Sequence, residues 1–185
     1  MSTLDFMLRV QRLRDLVFTR LAAPGFAAFG SRSRILLPFR VGGARHISVG
    51  AGTLIGAGSW LLVPEQRSPG PNIVLGDRVR MNTTSISAVS RVEIESGVGI
   101  ARGCYISDHS HGFAQSDVPV RDQPLDRVAP VLIKSGAWLG QNVVVLPGVT
   151  IGRGSVIGAN SVVRSDIPDR VVAAGTPARV IRELP

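Results

Sequence analysis

Two of the three histidines in the chain, His109 and His111, stand within the stretch CYISDHSHGF, beside Asp108. Three uses fit such a pair: metal ligands, a general base with its helper, or polar residues at a turn. Histidine titrates near neutrality, so an imidazole can take a proton from a weakly acidic hydroxyl as that hydroxyl attacks an activated carbonyl. Metal use needs more donors. The one cysteine, Cys104, gives no zinc-ligand spacing and no intrachain disulfide. His46 is the only further imidazole. Which use applies depends on the frame that carries the pair.

That frame is a repeat. Large aliphatic residues recur every six positions at Ile133, Leu139, Val145, Ile151, Ile157 and Val163. The same spacing links Ile94, Ile100 and Ile106, then Val49, Ile55 and Leu61, then Leu75 and Met81. A small or β-branched residue stands four places after most of them, as at Ala137, Val143, Cys104 and Ser110. A period of six fits neither a helix nor an unbroken strand. It fits short strands separated by corners, two residues of each hexad pointing inward. Three hexads make one triangular coil, and stacked coils pair their strands in parallel. The spacing predicts an all-β parallel β-helix without fixing its hand. On this register Ile106 and Ser110 point inward, and His109 and His111 point outward at a turn.

The period breaks twice. Leu61 and Leu75 are fourteen residues apart, with PEQRSPGP between them. Residues 112–130 contain three prolines and no hexad. A long irregular segment of this kind predicts a surface loop with a functional use, and it begins directly after the histidines.

Residues 3–22 read as an amphipathic helix, with Leu4, Met7, Leu8, Leu13, Leu16, Val17 and Phe18 as its apolar stripe. The stripe predicts packing on the open end of the β-helix or on a neighbouring subunit, with a membrane surface as the other use. Residues 1–50 hold eight arginines against two aspartates, so most of the net charge of +8 lies there. No nucleic-acid-binding motif accompanies that charge, and no nucleic-acid partner is expected. No apolar run is long enough for a transmembrane helix and no signal peptide is evident, which makes a cytoplasmic location the expectation, with peripheral contact at the inner face of the membrane.

The series IKSGAW-LGQNVV-VLPGVT-IGRGSV-IGANSV, with the ending RSDIPDRVVAAGTPARVIREL, resembles the hexapeptide-repeat acyltransferases over roughly residues 43–183. The resemblance implies a left-handed β-helix over 43–185, preceded by a helix and lead-in over 1–42 and closed by a short C-terminal helix. The segments ISDHSHGF, PVRDQPL and PVLIKSGAWLG resemble the sugar and polysaccharide O-acetyltransferase branch, which includes galactoside, maltose and colanic-acid acetyltransferases. This implies acetyl transfer from acetyl-CoA to a sugar or polysaccharide hydroxyl, in a homotrimer with clefts between subunits, without a metal. It places the base at His111, with His109 second and Asp108 as an orienting group. It also implies an acceptor-binding role for Asn82 and a coenzyme A site at Trp138, Ala159, Arg179 and Arg182. At Arg164 and Ser165 the chain departs from the family's Thr-Lys pair; Arg164 supplies the charge one place early. N-acetylation of an amino sugar would use the same base. A metal hydratase of the γ-carbonic-anhydrase type shares the helix and uses three histidines, but its spacing differs from His46, His109 and His111. Cys104 fills a small inward slot and reads as structural.

Overall fold

The computed structural model describes residues 2–185. Its strands stack into three parallel faces, as the six-residue period predicts. The first face holds Ala28–Phe29, Ile47–Val49, Ile73–Leu75, Val92–Ile94, Val131–Ile133 and Thr150–Ile151. The second holds Arg34–Ile35, Leu54–Ile55, Arg80–Met81, Gly99–Ile100, Trp138–Leu139, Val156–Ile157, Val171–Gly175 and Ala178–Glu183. The third holds Arg40–Gly42, Trp60–Leu62, Ser85–Ser87, Tyr105–Ser107, Val144–Val145 and Val162–Val163.

Each strand buries the hexad aliphatic against the equivalent residue of the next coil. Ile35, Ile55, Met81, Ile100, Leu139 and Ile157 form one such ladder, all buried. Full burial of each contributes about 1.5–3 kcal/mol. Left-handed corners such as Gly52, Gly97 and Asn142 turn the chain between faces. Cys104 is buried with its thiol against the Gly140 carbonyl, and burial pushes the thiol's pKa up.

Three expectations change. The β-helix begins before residue 43: Ala28–Phe29, Arg34–Ile35 and Arg40–Gly42 pair in parallel with the next coil. The C-terminal segment is not a helix. Ala178–Glu183 folds back antiparallel on Val171–Gly175, closing the stack with a hairpin. Gly175, at φ 110°, and Pro177 make the turn, and β-branched Val180 and Ile181 favour a strand.

The helix α1 (Thr3–Ala22) starts at a Ser2–Asp5 capping box and packs on the open end of the stack, but of its apolar residues only Phe18 and Ala22 are partly buried against the core. The buried residues are Asp15 and Thr19. The first strand of the second face leaves Ile35's N–H and carbonyl without a neighbouring strand. The Thr19 hydroxyl accepts from the Ile35 N–H at 3.0 Å, and Asp15 accepts from the Leu37 N–H at 3.4 Å. The helix thus covers an open sheet edge with polar groups. Phe6, Val10, Leu13, Val17 and Leu21 line its opposite side and are exposed. Among the described residues no helix is long and apolar enough to cross a membrane.

Candidate active site

The six-residue register stops at Ser107. Asp108 turns into the stack instead of outward and is fully buried. Its carboxylate accepts from the backbone N–H groups of Val89 (3.0 Å), Ser90 (2.7 Å) and Arg91 (2.7 Å), which have no strand partner at that corner. It also accepts from His109 Nδ1 at 2.7 Å. Burial alone would raise the pKa of Asp108; the hydrogen bonds from His109, Val89 and Ser90 outweigh it and hold the carboxyl below the ordinary range. Asp108 draws His109 in after it, so His109 is buried, at 8% exposure, and not outward as the extrapolated hexad implies. Ser110 likewise leaves the interior; its hydroxyl reaches the Asp126 carbonyl.

His111 is exposed. It lies on a short antiparallel pair, Ser110–His111 against Leu125–Asp126, that roots the irregular segment. The root is tied at both ends: Gly112 N–H donates to the Pro124 carbonyl, and Ala129 N–H donates to the Asp108 carbonyl. Inside the loop the Gln123 amide nitrogen donates to the carbonyls of Gln115 and Val118, both at 2.8 Å, in place of a strand ladder.

Both histidines line a cleft of about 670 Å³ over the third face. The two breaks in the repeat border it: Glu65 and Arg67 come from the first excursion, and Arg121 and Gln123 from the loop. Arg67 pairs with Glu65 at 2.9 Å, which lowers the Glu65 pKa. Trp60 and Tyr105 also line the cleft, in one outward row with Ser85 between them. Sequence reasoning missed both aromatics. Their signal was present: the chain's two tryptophans and single tyrosine each immediately precede an inward aliphatic, as Trp60–Leu61, Tyr105–Ile106 and Trp138–Leu139.

The other expected site residues lie elsewhere. Trp138 is half exposed on the second face. Its ring covers Gly99, where a Cβ would come within 2.6 Å of Cε3. Arg182 shares that outward row, since Trp138, Val156, Val172 and Arg182 are successive partners. Arg179 is on the same terminal strand; Ala159 occupies the exposed corner after Val156–Ile157 on that face, and Arg164 the exposed corner after Val162–Val163 on the third face. Asn82 is exposed at the corner after Arg80–Met81 and does not line the histidine cleft. Among the described residues no three His, Cys, Asp or Glu side chains gather as a metal site.

Residues 130–165 match the family described as bacterial transferase hexapeptide, six repeats. The chain has the fold of the hexapeptide-repeat proteins. Its coils form the left-handed β-helix of the hexapeptide acyltransferases. The chain is 42% identical over 119 residues to a putative lipopolysaccharide biosynthesis O-acetyl transferase, WbbJ, of Escherichia coli K12, covering 60% of each protein. It is 39% identical over 132 residues to galactoside O-acetyltransferase of the same organism, covering 70% of this chain and 63% of that one. This hexapeptide-repeat chain therefore spans less than two thirds of either relative. A hexapeptide-repeat acetyltransferase of Vibrio cholerae, solved with acetyl coenzyme A, superposes with a TM-score of 0.62 at 28% identity, over 90% of this chain and 75% of that one. A Bacillus cereus N-acyltransferase solved with dTDP and coenzyme A superposes at 0.74 with 20% identity, over 90% of this chain and 89% of that one, and shares the fold.

Proposed function

We propose that the protein transfers an acetyl group from acetyl-CoA to a hydroxyl of a sugar or polysaccharide precursor. The observation that carries this reading is the cleft itself. Both segments that break the repeat converge on it, and it holds an exposed imidazole, a second imidazole locked to a carboxylate, and two aromatic faces suited to a sugar ring. The relatives named O-acetyltransferases support transfer to oxygen.

In this mechanism His111 accepts the hydroxyl proton as the oxygen attacks the thioester carbonyl. The tetrahedral intermediate collapses, the C–S bond breaks, and the imidazolium returns the proton to the departing thiolate. Exposure and position at the loop root let His111 reach an incoming acceptor. His109, with Nδ1 committed to Asp108, fixes the strand that presents it. A second assignment has one specific observation in its favour: the Asp108 contact orients His109 with Nε2 free, the arrangement of an oriented base.

The coenzyme A candidates, Trp138, Ala159, Arg179 and Arg182, leave from the second face and nearby corners, whereas the histidine cleft opens on the third. One chain cannot turn both faces into one groove. A second copy, laying its second face against the first copy's third, brings them together, which supports a homotrimer with three equivalent clefts. Arginines at the terminal strand suit the phosphates of coenzyme A.

Purified protein is expected to consume acetyl-CoA with an acceptor from a panel of sugars and sugar phosphates, and to form a product that mild base deacetylates. A base-stable product would show N-acetylation. Thioester consumption with no acetylated product from any acceptor would contradict the reading.

A further inference from the structure

A second groove lies between α1 and the second face, with a volume of about 630 Å³. Five arginines line it. Arg34 and Arg80 come from strands two coils apart, with Leu54 between them. Arg32 and Arg78 occupy the corners that precede those strands, and Arg12 reaches in from α1. Between the arginine pairs the floor is low, formed by Gly52 and Leu54. Among the described residues none of the five makes an ion pair. The one carboxylate lining the groove, Asp15, is held by Arg14 at 2.6 Å and by the Leu37 N–H. Asp77, at the rim, accepts from the Ala51 N–H at 2.7 Å. Asp15 is already paired with Arg14 and Asp77 is a single charge at the rim, so the five guanidiniums leave an excess of positive charge that favours an anion of more than one charge.

The position of the groove says what the anion belongs to. Its arginines begin the outward row that carries Trp138: Arg34, Leu54, Arg80, Gly99 and Trp138 are successive partners. The Trp138 ring leans over Gly99, toward Arg80. At about 4.8 Å per strand, Arg80 lies about 10 Å from Trp138, and Arg182 about 14 Å from it on the opposite side. One row therefore has a cationic end on each side of the tryptophan. Arg182 serves the coenzyme A end under the acyl-transfer reading, which leaves the five-arginine end for the other substrate.

We propose that this groove binds the diphosphate of an acceptor whose sugar is linked through a diphosphate ester, and that the sugar extends along the row toward Trp138. Two pairs of guanidinium forks facing each other across a shallow floor match two adjacent phosphoryl groups better than a single carboxylate. The carrier beyond the diphosphate is a soluble nucleoside or a membrane lipid; the groove reads the diphosphate common to both. The sugar placement rests on the acyl-transfer reading. The diphosphate site does not, and it is measured separately.

The test uses the full chain and the variant Arg34→Gln/Arg80→Gln, with Arg45→Gln/Arg102→Gln as a control of equal charge loss outside the groove. Inorganic pyrophosphate and a nucleoside diphosphate are titrated by calorimetry and thermal shift at low salt. Both ligands are expected to bind and to raise the melting temperature. The groove variant should weaken binding at least tenfold, while the control stays close to wild type. Saturating coenzyme A should not displace pyrophosphate. In turnover, a nucleoside-diphosphate sugar, or a diphosphate lipid-linked sugar in vesicles, should show a KM at least tenfold below that of the free sugar. The groove variant should erase that advantage and leave free-sugar turnover unchanged. Preference for the soluble or the vesicle-borne acceptor identifies the carrier. Absence of pyrophosphate binding, equal weakening in the control, or displacement by coenzyme A would overturn the site whatever the activity. Intact pyrophosphate binding with no preference for the diphosphate-linked sugar would overturn its assignment to the acceptor.

Discussion

Replacing His111 with alanine is expected to lower acetyl-transfer turnover about 10²- to 10⁴-fold, the usual share of a general base. The side chain is exposed on a two-residue strand, so its loss should leave the melting temperature near wild type. Coenzyme A binding should be unchanged, because the residues expected to hold it lie on another face. His109→Ala removes a buried ring from its carboxylate and should affect both activity and stability. The two variants thus separate by their pattern. A base lost at His111 gives a folded, coenzyme A-binding, inactive protein. If His111→Ala keeps near-normal turnover while His109→Ala is inactive, the oriented imidazole is the base. If both retain turnover, the imidazole mechanism fails.

Asp108→Asn should have the largest effect on stability. The native carboxylate accepts from three backbone N–H groups and one imidazole. Asparagine keeps one acceptor oxygen and turns an NH₂ donor toward groups that are themselves donors. Removing one side of a buried charged network costs about 3–5 kcal/mol. The sign with pH follows from the lowered pKa of Asp108. Its contribution is fully present above the unfolded carboxyl value, about 3.9, and is lost as pH falls through the lower folded value. Denaturant midpoints should therefore differ most near neutral pH, and the gap should close in strong acid. Equal midpoints at pH 7 would show that Asp108 does not hold the loop root.

The interior was legible because a period of six leaves few alternatives. The ladder from Ile55 to Ile157 follows from spacing alone, and so do the two breaks that border the cleft; the coil that holds Ile35 was not read. The hand was not in the spacing and came from resemblance. Three local readings failed for distinct reasons. The hexad was carried past Ile106 into a corner where the N–H groups of Val89, Ser90 and Arg91 needed an acceptor, and Asp108 turned inward to supply it. The apolar stripe of α1 was expected to pack on the open end of the stack; the helix does pack there, but mainly through Asp15 and Thr19, because the edge at Ile35 required polar partners. The C-terminal helix lost to strand pairing with Val171–Gly175. The arginine groove was invisible for a simpler reason: Arg34 and Arg80 are far apart in sequence and meet only when coils stack.

The most direct test of a catalytic cleft shared between subunits mixes two inactive variants. One carries His109→Ala/His111→Ala and the other Trp138→Ala. They are unfolded together in equal amounts, refolded and assayed for acetyl transfer. If the histidines and the tryptophan of one cleft come from different chains, random mixing rebuilds about a quarter of the clefts with both intact. Activity should then rise to about a quarter of wild type, against near zero for either variant refolded alone. A mixture no more active than the average of its two components would contradict a cleft built from two subunits.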